Sequence, residues 1–543
     1  MGKKISGNIV DIVNQKIFPG TLKIENGRIT KITRDNNVYK NYLIPGFVDA
    51  HVHIESSMLT PSEFARIAVV HGTVAVVSDP HEIANVLGIE GVNYMLDNAS
   101  KVPFKFYFGA PSCVPASPFE TSGQALSSED VEKLLKNQKI KYLAEVMNYP
   151  GVINKDPEIM RKIKLAKTYS KPIDGHAPGL SGEDLSKYVS HGISTDHECL
   201  TLEEGREKVK KGMKVLLREG SAARNFDTLQ PLMKEHLESC MLCSDDKHPD
   251  DLVKGHINLV VKRAIKNGMD PIKALRSVSL NPVAHYDLDV GLLRVGDPAD
   301  FLVVDSLKEL NVLSTYINGI EVAKDGNTLV SRIKPEIKST FNIAPKKPSD
   351  FAMKSTGELI NVIVAIDGQL ITEKSKEKPK VSNGYAVSDV DRDILKIVVV
   401  NRYKKAKPSV AFIKNFGLKE GAIASSVAHD SHNIIAVGVS DEDICRAVNL
   451  IVKNKGGISA VSKHEEDILP LPIAGIISDK EYGWVAKKYT NMKKKAKMLG
   501  SKLKAPYMTL SFMALPVIPR LKLSDKGLFD SEKNRFIDLF ENA

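Results

Sequence analysis

Short apolar runs alternate with amphipathic segments through the middle of the chain, a pattern typical of strands separated by helices. Between the runs, Thr60, Ser181 and Thr201 each stand just before an acidic first turn, as helix N-caps do. The runs predict eight strands, at Phe47–Val52, Thr73–Ser78, Lys105–Phe108, Tyr142–Val146, Pro172–Gly175, Ser194–Asp196, Lys214–Arg218 and Met241–Cys243. Repeated strand–helix units over residues 44–284 predict an α/β fold with a (β/α)8 barrel of the TIM type.

An open, doubly wound parallel sheet is the main alternative to the barrel. That fold would not explain why polar residues recur at the C-terminal end of nearly every predicted strand. In a (β/α)8 barrel those ends share one face, where the active site lies. The pattern therefore favours the barrel.

The barrel interrupts a smaller unit whose two parts flank it. Residues 1–43 contain short alternating strands and an Asn26-Gly27 hairpin signal, and residues 285–333 repeat the pattern with Asn318-Gly319. We expect both flanks to form one composite β domain. Prolines and lysines from 334 to 350 predict a linker, and residues 350–543 then form a C-terminal α+β domain.

The composition is that of a globular protein rather than a membrane protein. The chain has 543 residues, of which 42% are hydrophobic and 26% charged, and we find no apolar run long enough to span a membrane and no secretory signal. Five cysteines in so long a chain indicate a reducing compartment, so we expect a cytoplasmic location. Of the net charge of +10, part comes from lysines crowded between 487 and 504. These predict a solvated helical face rather than a nucleic-acid partner.

His51 and His53 end the first predicted strand of the barrel. Strand side chains alternate between faces, so residues two apart point the same way. Two imidazoles that project together are typical ligands for one metal ion, although a bare His-x-His also occurs as a pair of structural histidines. The other strand ends decide between these readings.

Every later strand except the third also ends in ionisable residues. They are Asp79, His81 and Glu82 after strand two, Glu145 in strand four, Asp174 and His176 in strand five, Asp196, His197 and Glu198 in strand six, Arg218 and Glu219 in strand seven, and Asp245 and Asp246 in strand eight. If the barrel forms, these side chains converge on one mouth. The sequence therefore predicts a buried metal centre.

Longer phrases carry a resemblance to a known family. They include HVHIESSM (51–58), VVSDPHEIANVLG (76–88), LAEVMNYPGV (143–152), CSDDKHPDDL (243–252) and, far beyond the barrel, GAIASSVAHDSHNI (421–434). The chain resembles the bacterial and archaeal adenine deaminases, which are metal-dependent hydrolases of the amidohydrolase superfamily. The resemblance covers nearly the whole chain. It implies purine salvage by hydrolytic deamination of adenine to hypoxanthine and ammonia.

The resemblance also implies a ligand set for two divalent metal ions. In binuclear members of the superfamily, strands one and eight bind one ion, strands five and six bind the other, and strand four supplies a bridge. The implied ligands are His51, His53, Glu145, His176, His197 and Asp245. Lys141 lies at the wrong end of strand four to act as a carboxylated bridge. Mixed imidazole and carboxylate ligands suit Mn²⁺, Fe²⁺ or Zn²⁺.

Such a centre would activate a water to hydroxide that attacks C6 of the substrate. We expect Asp245 to accept the proton of that water, and Glu219 to protonate a ring nitrogen or the leaving amine. Asp79, His81 and Glu82 are further candidates for substrate contact or proton transfer. For these three residues and Glu219, the equal alternative is that each only orients the neighbouring ligands. We expect His429 and His432, far along the chain, to be structural or to line the mouth.

Several alternatives stay open from the sequence. Another hydrolase of the same superfamily, acting on a cyclic amide, would use a similar site, and a barrel without activity would have lost some of its ligands. The favoured hypothesis is a small-molecule enzyme acting on adenine. It has no membrane or nucleic-acid partner and is expected to form a homodimer.

Overall fold

The chain begins with two antiparallel hairpins. The computed structural model describes residues 2–341 and 343–542, and its first strands are β1 (Lys3–Asp11), β2 (Lys16–Glu25), β3 (Arg28–Arg34) and β4 (Tyr42–Pro45). Asn26 and Gly27 form the turn between β2 and β3 with φ values of 49° and 77°, as the predicted tight turn requires. β4 pairs in parallel with β1 and passes the chain directly to the next strand.

Eight short parallel strands form the middle of the chain. They are β5 (Phe47–Val52), β6 (Thr73–Ser78), β7 (Lys105–Ala110), β8 (Ile140–Val146), β9 (Ile173–Gly175), β10 (Thr195–Asp196), β11 (Lys214–Arg218) and β12 (Cys240–Cys243). β5 to β9 form a five-stranded parallel sheet, and β10 to β12 form a three-stranded one. The predicted strands are therefore present with closely similar bounds, in a mixed α/β arrangement.

The two parallel sheets meet at both of their edges. Between β9 and β10, the Ser194 N–H donates to the Ile173 carbonyl (2.9 Å). Next to β12 and β5, the Asp245 N–H donates to the His51 carbonyl (2.9 Å), and Val52 and Asp245 form a parallel bridge. The carboxyl ends of β5 and β12, which carry predicted site residues, are thus hydrogen-bonded neighbours.

Helices connect these strands. They are α1 (Pro61–Ala68), α2 (His81–Leu87), α3 (Ile89–Ala99), α4 (Ser128–Lys136), α5 (Tyr149–Ile153), α6 (Pro157–Thr168), α7 (Gly182–Ser190), α8 (Leu202–Lys210), α9 (Phe226–Glu235), α10 (Pro249–Leu252), α11 (Ile257–Lys266), α12 (Pro271–Val278) and α13 (Leu280–Tyr286). The hydroxyls of Thr60 and Thr201 accept from backbone N–H groups of the first turns of α1 and α8, so these two caps are confirmed. Ser181 is the N-cap residue of α7, as predicted, but its side chain makes no such bond.

The sheet that begins the chain is completed after α13. The later strands are β13 (Phe301–Val304), β14 (Val312–Ile317), β15 (Ile320–Lys324) and β16 (Asn327–Thr328). β13 pairs with β4, which gives one eight-stranded sheet in the order β16-β15-β14-β13-β4-β1-β2-β3. Ile9 and Leu43 from the first flank pack in one apolar cluster with Phe301 and Tyr316 from the second. The two flanks therefore share a core.

The C-terminal region contains a nine-stranded sheet and two small three-stranded sheets. Its strands are β17 (Met353–Lys354), β18 (Leu359–Ala365), β19 (Thr372–Glu377), β20 (Lys380–Ser382), β21 (Tyr385–Val387), β22 (Ile394–Val400), β23 (Ser409–Lys414), β24 (Ala422–Ser425), β25 (Ile434–Gly438), β26 (Gly457–Val461), β27 (Glu466–Pro470), β28 (Leu521–Ser524), β29 (Gly527–Asp530), β30 (Arg535–Phe536) and β31 (Phe540–Glu541). Its helices are α14 (Asp441–Lys453), α15 (Tyr482–Met498) and α16 (Pro506–Phe512). α14 buries Ile444, Val448 and Ile451 in one cluster with residues of β22, β24 and β25.

The lysine-rich segment forms α15, with one buried and one charged face. Val485, Tyr489, Met492 and Ala496 are buried at helical spacing, whereas several lysines form ion pairs, such as Lys493 with Asp250 (2.7 Å). The segment is therefore an amphipathic helix, as predicted. Along residues 2–341 and 343–542, no helix is long and apolar enough to cross a membrane.

A buried lysine supports the strand end that carries His197. Lys208 Nζ donates to the Ala177 carbonyl (2.7 Å) and pairs with Glu204 (2.6 Å) and with Asp196. Burial would raise the pKa of Asp196, but the Lys208 ammonium holds that pKa below its ordinary value. The ion pair therefore fixes β10 directly before His197.

Lys208→Met keeps an unbranched side chain but leaves Asp196 buried without a counter-charge. We expect the free energy of unfolding to fall by about 3–5 kcal/mol, measured by urea denaturation at pH 7. Lys210→Met, at an exposed position of the same helix, is the matched control. Equal losses in both variants would contradict a specific role for the buried pair.

Candidate metal centre

The histidines of β5 and the aspartate after β12 lie in contact. His51 Nε2 is 3.1 Å from His53 Nε2, which is in turn 3.2 Å from Asp245 Oδ1. Both imidazoles lie on one side because the side chains of a strand alternate. All three residues are buried. The geometry thus brings together the side chains predicted for the first ion.

Glu145, at the end of β8, lies between two groups of histidines. Its Oε1 atom is 3.4 Å from His53 Nε2. Its Oε2 atom is 2.7 Å from His176 Nδ1 and 3.2 Å from His197 Nε2. Each carboxylate oxygen therefore faces a different group, which is the arrangement that a carboxylate shared by two cations requires.

The histidines of this cluster differ in charge state. Burial would lower the pKa of His53, His176 and His197, but neighbouring carboxylates raise it, so a bound cation would displace their protons. Burial, together with neighbouring His197 and His53, holds the pKa of His51 well below its ordinary value, so its imidazole is neutral and offers a lone pair. Within several groups of these side chains, such as His51, His53 and Asp245, the donor atoms lie within 4.8 Å of one another. Converging nitrogen and carboxylate donors of this kind fit divalent ions such as Mn²⁺, Fe²⁺ or Zn²⁺.

Neighbouring groups orient the donors. His53 Nδ1 is 3.1 Å from the Asp79 carbonyl, which accepts its N–H, so Nε2 is the ring atom that faces Asp245 and Glu145. Behind the cluster, the buried Asp49 accepts from the Ser244 N–H (2.9 Å) and pairs with His256 (2.9 Å). Asp49 therefore links β5 to the segment that carries Asp245.

The residues after β6 lie beside the cluster. Asp79 Oδ2 is 3.1 Å from His81 Nδ1, which is 3.4 Å from Glu145 Oε1. His81 Nε2 is 3.6 Å from Glu82 Oε1. Asp79, His81 and Glu82 thus form a buried chain of ionisable groups that leads away from Glu145.

Glu219 does not join this cluster. Its carboxylate binds Arg263 at 2.6 Å and lies 3.6 Å from Arg224. Side chains of adjacent strand-end residues point to opposite sides, so Arg218 faces the cluster while Glu219 faces α11. Glu219 is therefore held in an ion pair on the other side of β11, and its catalytic role stays a prediction.

The structure places three further charged residues at the cluster. Arg218 Nη2 binds Glu198 Oε2 at 2.9 Å, and Arg218 Nη1 binds Asp245 Oδ2 at 2.5 Å. Asp246 accepts from the Ser56 hydroxyl at 2.5 Å. The sequence showed these residues at strand ends, but their type alone did not separate them from ordinary loop charges.

The C-terminal region closes the other side of the cavity. We call its cavity-lining residues the C-terminal wall; they are Leu370, His429, Asp430, Phe512, Leu515, Val517 and Ile518. His429 Nδ1 is 2.5 Å from Glu82 Oε1, and His432 Nε2 contacts the other oxygen of Glu82. His429 therefore lines the cavity, and both histidines contact a carboxylate from the first turn of α2. No local pattern in the sequence indicated Leu370 or Phe512.

A larger cavity of about 440 Å³ lies outside the cluster. It shares His176, Glu198 and Arg218 with the cluster's own lining and extends to Arg224 and Ile371. Its walls come from both the region of the eight parallel strands and the C-terminal region. It provides space for a small organic molecule to approach the buried donors.

Two family models match separate parts of the chain. Residues 42–322 match the model of the amidohydrolase family, and residues 369–535 match that of the adenine deaminase C-terminal domain. The chain is 56% identical to the adenine deaminase of Sulfurovum sp., covering 98% of this chain and 99% of that protein. It is 52% identical to that of Salinibacter ruber (99% and 98% covered) and 51% identical to that of Methanosarcina mazei (99% of each).

Glu82→Gln removes the anion between His429 and His432. Burial would lower the pKa of His429, but Glu82 raises it to about 9. Burial would raise the pKa of Glu82, but the two histidines hold it well below its ordinary value. The contact therefore stabilises the fold fully at pH values above the ordinary pKa of glutamate and below that of histidine. This contribution is lost as the pH rises through about 9, the pKa of His429 in the folded protein.

We accordingly expect the stability difference between the unchanged protein and Glu82→Gln to be largest from about pH 5 to 6.5 and to decline above about pH 9. Chemical denaturation of metal-free protein across this range measures it. Glu203→Gln, at an exposed position, serves as the control. A difference that is constant with pH would show that the imidazole–carboxylate contact does not carry it.

Proposed function

The chain belongs to the adenine deaminase family of amidohydrolases, and from this premise we propose how its side chains convert adenine to hypoxanthine and ammonia. The position of Glu145 between two groups of histidines carries the proposal. It supports a binuclear centre rather than a single-ion site. Adenine deamination in turn places the enzyme in purine salvage.

We assign His51, His53 and Asp245 to one divalent ion, His176 and His197 to the other, and Glu145 to both. The short distances among their donor atoms and their burial support this assignment. When bound, two such ions would lower the pKa of a water between them towards roughly 7 and supply the nucleophile for C6 of adenine. The donor set is compatible with Mn²⁺, Fe²⁺ and Zn²⁺ alike.

Asp245 is the proposed proton acceptor. Burial would raise its pKa, but Arg218 and His53 hold it well below the ordinary value, so the carboxylate is ionised at neutral pH. It faces His53 with one oxygen and Arg218 with the other. The side chain is therefore oriented to take a proton at Oδ1, the oxygen that faces the ligand cluster.

Proton delivery to the leaving amine is assigned to the chain of Asp79, His81 and Glu82. Burial would lower the pKa of His81, but Asp79 raises it well above the ordinary value, so the imidazolium is available as an acid. His81 lies within 4 Å of both Glu145 and Glu82. It is thus closer to the centre than Glu219, which this proposal replaces in that role.

The eight parallel strands are proposed to close into a (β/α)8 barrel over residues 44–284. The Val52–Asp245 bridge supports closure between β12 and β5, and the hydrogen bond from Ser194 to Ile173 supports closure between β9 and β10. The flanking segments 1–43 and 285–333 would then be one composite β domain, and 350–543 a C-terminal α+β domain. A homodimer and a cytoplasmic location stay predictions of the sequence.

Asp245→Asn keeps the size of the side chain but removes a base and a negative charge. We expect turnover of adenine to fall by at least ~100-fold, the scale of a lost general base. Glu219→Gln is the control, since Glu219 is bound to Arg263 outside the cluster and should retain nearly full turnover. A large loss in Glu219→Gln with near-normal turnover in Asp245→Asn would reverse the two assignments.

The direct test of the proposed function is conversion of adenine, followed by loss of its absorbance together with ammonia release. We expect activity with manganese or iron(II) supplied, and close to two ions per chain by elemental analysis. Adenosine should be a poor substrate because the cavity at the cluster is enclosed by the C-terminal wall. Efficient hydrolysis of dihydroorotate with adenine untouched would refute the proposal.

A further inference from the structure

His429 and Asp430 present polar atoms to the cavity that no protein group satisfies. In the part of the chain that the structure describes, His429 Nε2 and Asp430 Oδ2 are buried and have no hydrogen-bond partner. Both residues line the same cavity as His53 and Glu145. Buried polar atoms are rarely left unpaired, so a donor and an acceptor here point to a ligand.

The contacts of Glu82 determine what His429 offers. His432 Nδ1 accepts from the Ala428 N–H (3.3 Å), so the proton of His432 is on Nε2, which faces Glu82. The other oxygen of Glu82 is 2.5 Å from His429 Nδ1, which must therefore carry a proton. Because Glu82 also favours the imidazolium form, His429 Nε2 carries a proton too and acts as a donor.

This pair of groups is held rigidly. The His429 ring stacks on Phe512, with centroids 4.4 Å apart and planes 8° from parallel. Asn433 donates to the Thr121 carbonyl (2.9 Å), and the Tyr403 hydroxyl donates to the Ser431 carbonyl (2.7 Å). The segment is thus fixed to the barrel loop on one side and to its own domain on the other. Such fixed donors favour recognition of one ligand geometry.

We propose that His429 and Asp430 read the N3 and N9–H edge of the purine. With C6 at the strand ends, the opposite edge of adenine faces the C-terminal wall, and that edge presents an acceptor, N3, beside a donor, N9–H. His429 Nε2–H donates to N3, and the Asp430 carboxylate accepts from N9–H. This inference rests on the proposed function and names the residues that set its substrate specificity.

The pairing also explains why a ribose would be rejected. In adenosine the N9 position carries the sugar, so it has no proton to donate to Asp430. The Asp430 carboxylate would lose that hydrogen bond and keep only the 3.9 Å contact of its Oδ2 atom with His81 Nε2. The sugar would also meet the C-terminal wall. A site built to bind a polar group discriminates strongly against an analogue that lacks it.

The test measures binding of unreactive products to the full, metal-loaded chain by calorimetry. We expect hypoxanthine to bind the unchanged protein ~10- to 100-fold more tightly than 3-deazahypoxanthine or 9-methylhypoxanthine, the scale of a lost bond to a charged group. In contrast, the affinity for 7-deazahypoxanthine should fall much less relative to hypoxanthine. A larger loss for the 7-deaza compound than for the 3-deaza compound would overturn the assigned edge.

Variants of His429 complete the test. His429→Leu should weaken the binding of hypoxanthine by the same ~10- to 100-fold factor. It should leave the affinity for 3-deazahypoxanthine unchanged, because that analogue already lacks the partner of His429. His429→Gln places an amide donor near the Nε2 position and should restore part of the preference, whereas His429→Asn should not. The exposed His464→Asn is the control. Metal content and thermal unfolding of each variant check that the site is intact.

Two failures are distinguishable. If the unchanged protein neither deaminates adenine nor binds hypoxanthine, the proposed function fails and this inference fails with it. If adenine is deaminated but His429→Leu weakens the binding of hypoxanthine and of 3-deazahypoxanthine equally, only the inference is wrong. In that case His429 acts through Glu82 and does not touch the base.

Discussion

The position of one carboxylate, that of Glu145, determines what the surrounding structure must do. Its Oε1 atom faces the imidazole of His53, directly after β5, and its Oε2 atom faces the imidazoles that follow β9 and β10. Ionisable groups are costly to bury unless each is paired. The strand ends are accordingly fixed by buried contacts further out, such as Asp49 with His256 and Lys208 with Asp196. The cluster therefore depends on strand placement more than on any single donor.

The C-terminal region is part of the same electrostatic unit. Glu82, from α2, is shared between His429 and His432, and Asp430 lies 3.9 Å from His81. An unbroken series of buried ionisable groups therefore runs from Glu145 through His81 to the C-terminal wall. A change of charge in either region alters the protonation of the other, since in a buried site such charges are weakly screened.

The sequence predicts the local parts of this structure well, because they follow from local rules. Apolar runs marked the eight strands, and alternation placed His51 and His53 on one side. Alternation also determines which of Arg218 and Glu219 faces the cluster, but only once it is known which face of the strand points inward. The sequence does not give that orientation. Phe512 and Leu370 reach the cavity through long-range packing. No short pattern encodes contacts between residues so far apart in the chain.

The order of the elements along the chain affects how the protein is made. Because synthesis proceeds from the N-terminus, β4 emerges long before β13, the strand that covers its open edge. The donor residues from His51 to Asp245 are likewise complete while Phe512 and Ile518 are still untranslated. A nascent chain therefore carries its candidate metal ligands open to the surrounding solution until Phe512 and Ile518 emerge and enclose them. Assembly and enclosure of the site are separate events in the life of each molecule.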